Sequence, residues 1–135
     1  MRVLFLSPVG VIGGAERVVL DLLASLAGER GIDARLCALG GGPLVDAARG
    51  LGVHTEVLEM PQAWADFGES GLSRGGTLRA LSRASAAIGG ASEFLRAFRA
   101  QFSSFRPDVV HSNGVKTHWL ASLLVPQSAA GRARS

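Results

Sequence analysis

The sequence predicts an α/β fold, a parallel sheet flanked by helices, and three observations lead there. Val3 to Leu6 is an unbroken apolar run closed by Ser7-Pro8, which is how a central parallel strand covered on both faces reads. Apolar residues then recur at helical spacing, with Val18, Val19, Leu22, Leu23 and Leu26 marking one face. Strand-like and helix-like segments keep alternating as far as Val125, the order that crossover connections between parallel strands produce.

After the first strand, the loop VGVIGG leads into a helix over Ala15 to Ala27, stopped by Gly28 and Gly31. A second strand is expected over Asp33 to Leu39, a short helix over Pro43 to Leu51, and a third strand over Val53 to Met60 with partial alternation. Residues 61–76 mix polar residues, glycines and isolated aromatics without a period, and a loop of this length is a candidate lid. Thr77 to Ile88 has helical character, Gly89-Gly90 interrupts it, and Ser92 to Phe105 forms a clearer helix with Phe94, Phe98, Phe102 and Phe105 on one stripe. That stripe reads as packing onto the sheet, with docking on a membrane surface beside Arg96 and Arg99 as the alternative.

Arg106-Pro107-Asp108 leads into a fourth strand, Val109 to Ser112, and Asn113-Gly114 turns the chain into a last helix over Val115 to Val125. The expected strand order is 3-2-1-4, a Rossmann-like sheet. One domain over residues 1–126 is followed by a flexible tail over 127–135. A fifth strand would next join the fourth and none follows, so the domain is expected to be incomplete and the fourth strand to offer an unpaired edge.

Composition narrows the function classes. With 47% hydrophobic and 19% charged residues in 135, the chain is far from a disordered polymer and fits one domain. Its net charge of +3 comes from scattered arginines, Lys116 being the only lysine, a balance that suits phosphate-bearing ligands and does not call for nucleic acid. Cys37 is the only cysteine, which excludes an intrachain disulfide and a cysteine-rich zinc site and points to a reducing, cytoplasmic setting. No stretch approaches the ~20 apolar residues of a membrane span, so any membrane contact is expected to be peripheral, at the inner face.

Two clusters could carry chemistry. Gly10, Gly13 and Gly14 lie just before a helix N-terminus, where unpaired N–H groups and the helix dipole attract phosphate. A purely steric glycine turn is the competing reading. The spacing is not G-x-G-x-x-G, and no acidic residue stands at Ala38-Leu39-Gly40 for a ribose hydroxyl, which disfavours a nicotinamide-dinucleotide enzyme. A G-x-x-x-x-G-K-[ST] loop is absent, and Ser7-Pro8 stand where a phosphoacceptor domain would carry acids.

The second cluster is DVVHSNGVKTH, residues 108–118, at the carboxyl end of the fourth strand, where open parallel sheets bind ligands. His111, Asn113, Lys116 and His118 supply imidazoles, an amide and an ammonium, groups that hold hydroxyls or phosphate and move protons. His111 reads equally well as a structural histidine at an apolar strand end, and Lys116 as a solvated helix residue.

VLFLSP, GVIGGAERVVLDLLASL and RPDVVHSNGVKTHWLASLL together resemble the amino-terminal, acceptor-side domain of family 4 retaining glycosyltransferases of GT-B architecture. The resemblance implies two Rossmann-like domains facing across a cleft, with a nucleotide-sugar as co-substrate, a glycan or lipid as acceptor, and catalysis without a metal. It places Gly13 and Gly14 against the donor diphosphate, where backbone amides stabilise the leaving group, and His111, Asn113 and Lys116 at the substrate. Many relatives carry histidine where this chain has Asn113; either His118 supplies that imidazole from the following helix, or Asn113 itself serves there as a hydrogen-bonding group. Glu16 reads as an acidic residue favouring a helix start. The family's donor-side basic pair and glutamates have no counterpart here, so the chain alone is expected not to complete a transfer and to need a carboxy-terminal domain or a partner chain. Acceptor choice is assigned to residues 61–90. A non-catalytic Rossmann-like module acting through its sheet edge, and a nucleotide-binding oxidoreductase domain, are the alternatives.

Overall fold

The computed structural model describes residues 1–61 and 77–124, the side chains of 77–89 and 124 excepted. Arg2–Ser7 forms β1, Gly14–Leu26 α1, Asp33–Ala38 β2, Pro43–Gly50 α2, His54–Val57 β3, Thr77–Phe105 α3, Val109–Ser112 β4 and Val115–Leu124 α4. The four strands form one parallel sheet in the order β3-β2-β1-β4, as the alternation predicts.

β1 lies inside the sheet, pairing Val3 with Ala34 of β2 on one side and with Val109 of β4 on the other. Its alternate side chains enter different halves of the core, which is why its apolar run has no polar face. Val3 and Phe5 join Val19, Leu23, Leu36, Leu44, Ala48 and Val53 beneath α1 and α2. Leu4 and Leu6 join Cys37, Leu39, Phe94, Phe98, Phe105, Leu120 and Ala121 beneath α3 and α4. Burial pushes the Cys37 thiol up to about 12, with the Glu56 carboxylate adding to the shift, so Cys37 is a neutral core residue.

Three expectations need correction. Gly89-Gly90 does not interrupt the helix: α3 runs unbroken for 29 residues, because glycine weakens a helix yet keeps the N–H that proline would remove. The third strand is shorter than Val53 to Met60; beyond Val57 the chain still follows β2, with Leu58 N–H donating to Ala38 O (2.9 Å) and Met60 N–H to Leu39 O (3.2 Å), but leaves the regular ladder. On α1, Val18 (56% exposed) and Leu22 (38%) face outward, while Val19 and Leu23 are buried and Leu20 and Leu26 flank them. The phenylalanine stripe packs onto the sheet as expected, which removes the membrane-docking alternative: Phe94, Phe98 and Phe105 are buried, Phe102 packs against the same cluster, and Arg96 and Arg99 are on the exposed side.

Arg106 closes α3 in the left-handed region (φ 49°), its N–H donating to Phe102 O at 2.9 Å, a helix stop that usually takes glycine. Asp108 then clips β4 to the start of β1: Arg2 N–H donates to its Oδ2 (2.7 Å), and Asp108 N–H donates to Arg2 O (2.8 Å). At its other end α4 exposes Val115, Trp119 and Leu123, a ridge at i, i+4 and i+8 beside the edge strand β4. No helix among the described residues is long and apolar enough to cross a membrane. Residues 62–76 and the tail, which carry the expected lid and flexible end, lie outside the described residues.

Candidate functional site

The carboxyl ends of β1, β2 and β4 carry three loops, the first of which touches both of the others. Gly10 is pressed against the loop after β2: a Cβ there would lie 2.1 Å from Gly41 O, so no larger residue fits, and Gly10 O accepts from Leu44 N–H at 2.8 Å. Ser7, fully buried at the end of β1, donates to Val9 O (3.1 Å) and steadies the same loop. Across the rim Gly114 takes φ +117° beside Pro8, a backbone state that glycine alone adopts readily.

Between the first and last of these loops stands Glu16. Its Oε2 accepts from Gly13 N–H (3.0 Å) and its Oε1 from Asn113 Nδ2 (3.0 Å). Gly13 is the N-cap of α1 but has no side chain, so Glu16 supplies only the return half of a capping box. The first bond of the helix ladder runs from Arg17 N–H to Gly13 O (3.2 Å), leaving the N–H groups of Gly14, Ala15 and Glu16 outside that ladder at the positive end of the dipole. Gly14 is exposed, and a Cβ there would meet nothing within 4 Å.

The residues of the second cluster divide. Asn113 is half-buried, its backbone N–H bound to Leu6 O at 2.8 Å, which holds it at the end of β1 as well as beside Glu16. His118, exposed on the first turn of α4, has Nδ1 3.2 Å from Ser112 Oγ, a contact that fixes the ring and leaves Nε2 on its far side. His111 lies apart from them, within β4, its ring tilted against Phe5 with centroids 5.1 Å apart, on the α1 side of the sheet. Lys116 is half-buried on the first turn of α4.

Three contacts that build this site escape sequence reasoning. Glu16 reads there only as a helix-start acid; the signal for its local role is the spacing from Gly13, but nothing in the sequence announces its bond to Asn113. Ser112 as the partner of His118 is likewise tertiary. Gly41, packed on Gly10, belongs to a GGG run that carries its own warning of close backbone approach. Among the described residues no group of His, Cys, Asp and Glu is placed to hold a metal ion.

A comparison with curated proteins and another with solved structures gave no match. The family model described as glycosyl transferase 4-like domain matches residues 13–133, a span that begins at Gly13 and takes in Glu16, the β4–α4 turn and α4. A match over most of the length places this chain in the glycosyl transferase 4-like domain family.

Proposed function

We propose that this domain forms the acceptor-side wall of a glycosyltransferase cleft, in which a sugar passes from a nucleotide-sugar donor to a glycan or lipid acceptor. The observation that supports it most is the junction of the glycine loop with the β4–α4 turn through Glu16 and Asn113. That junction sets an anion-attracting helix start beside an amide and an imidazole, at the rim where parallel sheets bind ligands. As the bond to the sugar breaks, negative charge grows on the diphosphate; the N–H groups of Gly14 and Ala15 are oriented in advance to meet it. Gly13 contributes the turn, since its own N–H is held by Glu16. His118 and Asn113 hold the sugar side, and Lys116 adds a positive charge on the same helix turn.

An acceptor has a place to lie at the end of β3. A cleft of about 370 Å³ is lined by Leu58, Glu59, Pro61, Gly90, Glu93, Phe94 and Ala97, an apolar floor with two carboxylates that suits a hydroxylated ligand. Completing the transfer needs an opposing wall to hold the nucleotide and exclude water, supplied by a second domain or a partner chain.

The test is a titration of the ¹⁵N-labelled chain with UDP, GDP and ADP. We expect at least one of them to shift the amides of Gly14 and Ala15, and Gly14→Asp, which fits the backbone and adds only a charge, to remove the response. Silence at those amides with all three nucleotides, or an unaltered titration in Gly14→Asp, rejects the reading.

A further inference from the structure

The contact between Glu16 and Asn113 fixes more than position. A carboxylate only accepts hydrogen bonds, so the end of the Asn113 carboxamide that faces Glu16 is its NH₂ group. The carbonyl oxygen, Oδ1, is therefore directed away from Glu16, and among the described residues it accepts no hydrogen bond. The Asn113 main chain is held in place as well, its backbone N–H bound to Leu6 O at the end of β1. Glu16 is itself anchored by its other oxygen to Gly13 N–H, so it does not rotate freely to release the amide.

We infer that Glu16 is a positioning residue that sets the polarity of Asn113, making it present an acceptor to the cleft. Its partner on the ligand is consequently a donor, a hydroxyl of the sugar attached to the diphosphate, and not a phosphate oxygen. This rests on the glycosyltransferase reading above and adds to it a division of labour. Helix N–H groups take the anion, and Asn113, with its oxygen outward, takes a hydroxyl. An asparagine without Glu16 beside it would be free to turn its NH₂ outward, toward phosphate, and the two halves of the donor would no longer be distinguished at this rim.

Substitutions at the pair separate polarity from simple tethering. In Glu16→Gln the tie to Asn113 persists, but the amide nitrogen of the introduced glutamine can now donate to Asn113 Oδ1, which turns the carboxamide round. In Glu16→Gln combined with Asn113→Asp, the glutamine accepts from Gly13 N–H through its oxygen and donates through its nitrogen to the introduced carboxylate. The second oxygen of that carboxylate again offers an acceptor outward. The measurement is calorimetric affinity of the full chain for UDP, GDP and ADP and for UDP-glucose, GDP-mannose and ADP-glucose, taking for each nucleotide the gain that the sugar adds.

We expect Glu16→Gln to leave the melting temperature and nucleoside-diphosphate affinity close to wild type, to cut the sugar's gain about tenfold, and the double substitution to restore it. Sugar gain intact in Glu16→Gln, or not restored in the double substitution, overturns the assignment while leaving the glycosyltransferase reading in place. If no sugar-nucleotide binds the wild-type chain more tightly than its nucleoside diphosphate, the reading and the assignment fall together.

Discussion

The two faces of the sheet are built differently. Beneath α1 and α2 the core is mostly aliphatic, with Phe5 its one aromatic ring and two short helices reached through glycine loops. Beneath α3 and α4 it is dominated by rings: Phe94 and Phe98 stack with centroids 6.0 Å apart, and the Arg35 guanidinium lies 4.2 Å above the centre of Phe105. The first face is held by many interchangeable contacts of similar size. The second concentrates its stability in a few large side chains on one long helix, so it should tolerate single losses less well.

Truncation tests that contrast directly. Phe98→Ala is expected to cost about 3–5 kcal/mol and Leu23→Ala about 2–4 kcal/mol in urea unfolding, with Phe98 the larger because its stacking on Phe94 is lost as well; the reverse order would mean that α1, not α3, anchors the domain. A smaller effect belongs to the edge strand that serves both faces. The Arg2 backbone N–H, with help from the Arg2 guanidinium and the amino terminus, holds the Asp108 carboxyl below the usual carboxylate range. A carboxyl depressed in the folded state stabilises above its unfolded pKa, about 4, and that contribution disappears as pH falls through the lower folded value. Asp108→Asn should therefore be less stable than wild type at pH 7, the difference shrinking on acidification to pH 3; a difference independent of pH would assign the loss to something other than charge. The smallest change expected is a gain: Arg106→Gly relieves the left-handed residue that ends α3 and should add about 0.5–1 kcal/mol, read as a rise in melting temperature.

Element order and strand order were legible because each rests on a local pattern. Val3 to Leu6 announces a strand covered on both sides, and the phenylalanine spacing announces the buried stripe of α3. Legibility failed where one pattern fits two answers: Val18, Val19, Leu22 and Leu23 form two adjacent stripes, and only the position of α2 and the sheet decides between them. The site was half legible for the same reason. Its glycines and polar residues stand out along the chain, but Glu16 and Asn113 are 97 residues apart, and a bond made only by the finished fold leaves no spacing to read. Two glycines within α3 misled because helix propensity is a weak preference that packing overrides.

The strand order also fixes a sequence of events. β1 meets β2 after one helix, when Arg2 reaches Asp33, but it meets β4 only when Arg2 finds Asp108, 106 residues along. The longer closure costs only about 1 kcal/mol more in chain entropy, yet on the ribosome it must wait for the rest of the chain to be made, whereas β1, α1, β2, α2 and β3 can assemble as they appear. Until β4 docks, one flank of β1 stays open and Glu16 has no Asn113 to hold. On the proposed function, the rim that would grip a sugar is thus the last part of the described fold to be born, and a stall in synthesis before residue 108 leaves the strands already made without it.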